Sequence, residues 1–285
     1  MADRIMKTKV KTRKDKKGTL ALSASIAAAA FLSFSGQAKA DNILITEFDY
    51  GPAAYSLMAS NLTASGHTVD IVDARTGGNV AAALAAEAYD QIFLYDLTAS
   101  LYLNSADTAA MAAFWSANSG LVVDSRSYGY YYQGSDASEV ALLQNVAANL
   151  SLSGGGVWVG TDHDPSWTNN GNAFLSAIGV DPVTGIFSDP VNFADPSSVL
   201  LSGVTPTALW GGGASIGQTP IGTQPNGIEM YIHFGHTLTD GSERPYISAS
   251  FPLAGPTTSV PEPSTLLLIG SALSGLGLMR FWKRG

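Results

Sequence analysis

Between two apolar stretches at its ends, the chain alternates short apolar runs with Ala-rich segments. Asn42-Ile43-Leu44-Ile45-Thr46 is a continuous apolar run, the pattern of a strand buried on both faces. A turn follows at Gly51-Pro52, and residues 53–64 predict a helix stopped by Ser65-Gly66. The alternation then repeats. Residues 67–72 predict a strand, 80–88 an Ala-rich helix and 89–96 a third strand; 106–116 predict a helix capped by Ser105 and ended by Asn118-Ser119-Gly120. Residues 121–124 predict a fourth strand, 138–150 a helix, 154–160 a Gly-rich buried strand and 170–178 a helix stopped by Gly179. Beyond Val180 the pattern turns irregular and rich in Gly and Pro, with strands expected at 228–234 and 246–251. Strand and helix in alternation with short loops predict an α/β fold: a mostly parallel, flavodoxin-like sheet with helices on both faces. The irregular C-terminal strands are expected to close the edge of the same domain.

The two terminal stretches differ in kind. Residues 1–17 carry eight basic side chains, residues 20–34 are uncharged and mostly apolar, and Ala38-Lys39-Ala40 follows. That order of basic, apolar and small-x-small segments is a secretory signal peptide, which signal peptidase would read at Ala38 and Ala40. The apolar run is short of the ~20 residues of a membrane span, which argues against the alternative of a permanent anchor. At the other end, an uncharged run from Thr265 to Met279 precedes Arg280-Phe281-Trp282-Lys283-Arg284-Gly285. From Ser264 to Trp282 it is just long enough for one transmembrane helix. Its basic residues lie at the far end, which predicts that end in the cytoplasm and the domain outside. The chain divides into a signal peptide at 1–40, an α/β domain at 41–252, a Pro/Ser/Thr linker at 253–263 and a transmembrane tail at 264–285.

Within the linker, Pro261-Glu262-Pro263 stands just before the apolar span. Pro cannot sustain a helix, so this segment is expected to be extended and accessible beside the membrane. A Pro-Glu-Pro motif, a short apolar span and an Arg-rich end, in that order, resemble the PEP-CTERM sorting signal of Gram-negative bacteria. The resemblance implies recognition by an exosortase, cleavage near Pro261-Glu262-Pro263 and delivery to the cell surface, in a setting that often includes exopolysaccharide production. An uncleaved tail anchor is the alternative.

Setting the ends aside changes the charge. The whole chain is −8, but residues 41–260 hold only Arg75, Arg126 and Arg244 as basic residues against 20 acids, a net charge near −17. Such a surface repels phosphate backbones, which argues against nucleic acid as a partner. There is no cysteine, so disulfides, thiolate metal sites and a cysteine nucleophile are excluded.

In open parallel sheets, ligands bind at the carboxyl ends of the strands. The polar residues expected there are Glu47, Asp49, Asp73, Arg75, Asp96, Asp124, Ser125 and Thr161-Asp162-His163-Asp164. Asp162 and Asp164 alternate along an extended loop and could share a divalent cation, with His233 and His236 as imidazole partners. No established ligand spacing such as HExxH supports such a set, and hydrogen-bonded loop histidines are the alternative. Ser125, His163 and Asp96 could act as nucleophile, base and orienter. The glycines of a G-x-S-x-G elbow are absent around Ser125. Tyr128, Tyr130, Tyr131 and Tyr132, with Trp158, Trp167 and Trp210, offer aromatic faces for stacking on sugars or for packing the fold.

Three stretches are similar to the flavodoxin-like sheets of the class I glutamine amidotransferase-like superfamily. These are the opening strand with its Gly51-Pro52 turn, Tyr89-Asp90-Gln91-Ile92-Phe93-Leu94, and the passage from Phe114 to Val123. The resemblance implies a fold over about residues 42–180, not an activity, because those enzymes use the cysteine that this chain lacks. The sequence therefore favours an exported surface or matrix protein with a non-catalytic binding domain and no certain cofactor, a divalent cation being the candidate. The alternative is a surface hydrolase acting on glycan or peptide through a carboxylate/His crevice.

Overall fold

The computed structural model describes residues 40–47, 52–95, 102–115, 119–124, 137–160, 162–209, 215–251 and 253. The first apolar run forms β1 (Asn42–Glu47), followed by α1 (Pro52–Ala64), β2 (Thr68–Asp73), α2 (Asn79–Ala86) and β3 (Gln91–Leu94). Then come α3 (Ser105–Phe114), β4 (Gly120–Asp124), α4 (Ala137–Leu152), β5 (Gly156–Gly160) and α5 (Asn169–Ala177). The five strands pair in parallel in the order β2-β1-β3-β4-β5, the doubly wound order of flavodoxin-like sheets.

Why the sheet is doubly wound is visible in where alternate side chains go. Ile43, Ile45, Phe93, Val122 and Trp158 face α1 and α4, meeting Met58, Leu62, Leu142, Val146 and Leu150. Leu44, Ile92, Leu121, Val123, Val157 and Val159 face the other way, onto Val80 of α2, Met111 of α3 and Phe174 of α5. Strands covered on both faces cannot alternate apolar with polar, so they read as unbroken apolar runs. Edge strand β2 is the exception. Its face is mostly exposed, and Asp70 and Asp73 place charge on a free edge, which discourages pairing with a further strand.

The irregular C-terminal part adds β6 (Thr184–Phe187), β7 (Phe193–Ala194), a 3₁₀ turn (Val199–Leu201), α6 (Pro206–Leu209), β8 (Ile216–Gln218), β9 (Gly222–Thr223), β10 (Glu229–Thr237) and β11 (Glu243–Ala249). β11 runs antiparallel beside β5, and β10 and β7 continue outward from it. The expected closing strands are thus present, at the β5 side of the sheet. β6 and β8 instead form a separate antiparallel ribbon. The register of β10 against β11 shifts on either side of Phe234. Pro245, which has no N–H for a ladder, sits opposite Gly235 at this irregularity. A Cβ at position 235 would run into the Arg244 carbonyl oxygen, so only glycine fits there.

One local expectation is corrected. The cap of α3 is Asn104, not Ser105: its side chain accepts from Ala106 N and Asp107 N, and Asp107 answers by accepting from Asn104 N at 3.0 Å. The same carboxylate reaches across to α2, accepting Gly78 N–H at 2.7 Å and Ala81 N–H at 2.9 Å. Gly78, at φ 96°, has no side chain with which to cap α2 itself. A single fully buried Asp107 therefore caps two helix N-termini.

Candidate functional site

Topology brings the carboxyl ends of β1 to β5 to one edge of the sheet. At β1 and β2, the chain reverses so that Arg75 folds back onto the strand ends. Its Nε and Nη2 donate to the two oxygens of Asp73 at 2.8 and 2.9 Å, and Nη2 lies 3.7 Å from Glu47. The guanidinium hydrogen-bond lowers the Asp73 pKa. Between β1 and β3, where the strand order reverses, Thr46 Oγ donates to Phe93 O at 3.3 Å and accepts from Tyr95 N at 3.2 Å. These two bonds tie the end of β1 to the end of β3 at the topological switch point of the sheet. Asp124 ends β4 fully buried, opposite Gly160.

The loop after β5 is pinned on both sides by the small ribbon. Asp162 O accepts from Gly217 N of β8 at 2.6 Å, and Asp164 N donates to Gly185 O of β6 at 2.9 Å. Asp162 Oδ1 accepts from His163 N at 2.8 Å and lies 4.0 Å from His163 Nε2. The His163 ring in turn meets Trp167, centroids 5.9 Å apart and planes tilted by 51°. Ser166 holds φ 85°, an unusual conformation for a residue with a side chain. The outcome is a fixed loop that presents a half-exposed Trp167, with exposed Ile186 on the adjoining ribbon.

The histidines of β10 lie in other surroundings. His233 is fully buried, its Nδ1 2.6 Å from Ser198 Oγ and its ring 5.5 Å from that of Phe251. His236 Nδ1 is 2.7 Å from the carbonyl of Pro190. Asp162 and Asp164 are engaged in their own loop. Among the described residues, no three His, Asp or Glu side chains come together as a metal-holding group. Of the nucleophile, base and orienter set, His163 is placed as above, whereas Ser125 and Asp96 lie outside the described residues. So do Tyr128, Tyr130, Tyr131, Tyr132 and Trp210. Trp158 is fully buried in the core and offers no face to a ligand.

Sequence reasoning missed Ser198. It stands 35 positions from His233, beyond any local spacing signal. Its Oγ accepts from Leu200 N at 3.2 Å and lies 2.6 Å from His233 Nδ1. The pair resembles a serine nucleophile and base, but both residues are buried. It fixes the 3₁₀ turn to β10 and reaches no solvent.

The comparisons with known proteins speak to the tail. Residues 259–284 match the PEP-CTERM protein-sorting motif. The motif marks an exported protein processed by an exosortase, destined for the membrane or the cell surface. The match takes in Pro261, Glu262 and Pro263 and the apolar and basic segments behind them. A search of the curated proteins and one of the solved structures found no match for the chain. Among the described residues no helix is long and apolar enough to cross a membrane. The sorting motif itself, and the signal segment at 1–39 with Ala38, lie outside the described residues.

Proposed function

We propose that the protein loses its signal peptide during export, is held by its C-terminal helix, and is cut by an exosortase near Pro261-Glu262-Pro263. Its acidic domain then serves at the surface or in the matrix as a non-catalytic binding module on an amidotransferase-like scaffold. The sorting motif at 259–284 carries the address. The strand order β2-β1-β3-β4-β5 supports the scaffold reading, and the absence of cysteine removes that superfamily's chemistry. We favour binding over hydrolysis because the Ser198–His233 pair, the arrangement nearest to a nucleophile and base among the described residues, is buried.

The face that fits a ligand best is the loop after β5. A half-exposed indole beside carboxylates can stack on the apolar face of a sugar while acids accept from its hydroxyls. We therefore read exopolysaccharide as the ligand. In affinity electrophoresis against the host's own exopolysaccharide, Trp167→Ala should weaken retardation roughly tenfold, the size of one lost aromatic contact. Unchanged mobility would dismiss this face.

The address is tested by fractionation. In an exosortase-positive host, the domain should appear in the surface or extracellular fraction with a C-terminus near residue 263. Replacing Pro261, Glu262 and Pro263 together by Ala should leave it in the inner membrane with its tail intact. A wild-type chain that stays in the inner membrane, uncut, would contradict the proposal.

A further inference from the structure

The sheet begins abruptly. Ala40 is exposed, whereas Asp41 is 3 % exposed and its carbonyl accepts from Thr68 N at 2.9 Å. Several segments close around Asp41 at the amino end of the parallel strands. Its N–H donates to His67 Nδ1 at 3.3 Å. Its carboxylate accepts from Gln91 Nε2 at 2.7 Å and from the Ser151 hydroxyl near the end of α4. One residue on, Asn42 N donates to the Asp90 carboxylate at 3.0 Å. Asp41, Asp90, Gln91 and Ser151 line a small cleft at this end of the sheet.

We infer that signal peptidase cuts between Ala40 and Asp41, and that the α-ammonium it frees is a structural group of this pocket, accepted by His67 Nδ1, with the Asp90 carboxylate on the next amide and the Asp41 carboxylate on the same residue. The inference rests on the export reading above. Hydrolysis adds one water across the Ala40–Asp41 amide: Ala40 keeps the carboxylate and Asp41 takes the amine, which gains a proton at neutral pH. An amide nitrogen brings this site one donor. An ammonium brings three donors and a positive charge to a site that already holds the carboxylates of Asp41 and Asp90. The His67 Nδ1 that accepts from this nitrogen must be unprotonated, and burial holds the His67 pKa below its ordinary value, with Asp41 opposing. The pocket thus offers an acceptor ring, with acids close by, to a group that exists only after processing. Cleavage would strengthen the first strand's anchorage as well as release the leader.

The sequence makes the test clean. Residues 41–282 contain no lysine, so the Asp41 amine and Lys283 of the tail are the only amines after processing. The exported chain would be purified, its N-terminus sequenced, and its amines acylated with an N-hydroxysuccinimide ester, followed by peptide mass mapping. A second chain with Ser-Gly inserted between Ala40 and Asp41 moves the new amine out of the pocket. We expect Asp41 as the first residue, acylated about tenfold more slowly than the displaced amine, since each unit rise in pKa removes nine-tenths of the reactive free base. The insertion should also lower the melting temperature. Export with a cut elsewhere, or equal acylation rates, overturns the inference and leaves the export reading intact. A chain retained inside with its leader uncut sinks both.

Discussion

Replacing Asp107 by Ala is expected to destabilise the protein by about 3–5 kcal/mol, the largest effect of any single polar substitution in the described structure. The estimate follows from what its two oxygens do. They accept three backbone N–H groups, from Gly78, Ala81 and Asn104, at 2.7, 2.9 and 3.0 Å. The residue is fully buried, so truncation strands donors at two helix starts where water has poor access. Each stranded donor costs about 1–3 kcal/mol, and bonds to a charged acceptor exceed those to a neutral one. Neither helix can substitute a cap of its own, since Gly78 has no side chain and Asn104 is already engaged with Ala106 and Asp107. Urea unfolding at pH 7 measures the loss. Asp107→Asn keeps one carbonyl acceptor and should fall between wild type and Ala, which guards against an alanine variant that does not fold. A loss under about 1 kcal/mol for Ala would mean that water replaces the carboxylate.

Stability should also fall by about 3 kcal/mol between pH 6.5 and pH 4, through His233. Burial lowers its pKa to about 4, with the Phe251 backbone and the charge of Asp195 opposing. The unfolded chain titrates near 6.5, the ordinary value of a free imidazole. Between those values the unfolded state binds a proton that the folded state refuses. The stabilisation is therefore complete above pH 6.5 and is lost as the pH falls toward 4. The slope approaches about 1.4 kcal/mol per pH unit for one proton. His67, also lowered by burial, acts in the same direction. Asp73 and Asp240, lowered from 3.8, give up their contribution only in more acid solution. In His233→Gln, the amide can still bond Ser198 but does not titrate. Denaturant unfolding across pH 4–7 should show a flattened slope in this variant, whatever its stability at neutral pH. An unaltered slope would assign the acid sensitivity elsewhere.

Both effects arise from groups that local patterns describe poorly. Asp107 reads in sequence as an ordinary acid in the first turn of α3, and its service to α2, 26 and 29 positions away, depends on how the two helices meet. Local pattern alone puts the cap one residue late for the same reason: both Asn104 and Ser105 are capping residue types, and only the buried carboxylate at the third helical position selects Asn104. His233 reads in sequence as a candidate ligand beside His236, and nothing local points to its actual partner Ser198, 35 positions away. The aromatic residues show the same limit. Trp158 and Trp167 are nine positions apart, yet one is fully buried and the other half exposed, because one lies on a central strand and the other on the loop beyond it.

The sequence by itself determined the elements of the parallel half and the address. Strands buried on both faces must be apolar throughout, and the turns between them need Gly, Ser, Asn or Pro, so β1 to β5 and α1 to α5 are written locally. The sorting tail is equally legible, because its three parts act through composition and order rather than through contact with the domain. The tertiary structure alone decided the rest. It paired β11 with β5 and set β6 and β8 apart as a ribbon, since short strands with register shifts carry no lasting period. It also fastened the loop after β5 to that ribbon, through Asp162 and Asp164, and brought His163 against Trp167. Contacts between distant segments are set by packing and by the need to satisfy buried polar groups, and neither leaves a repeating mark along the chain.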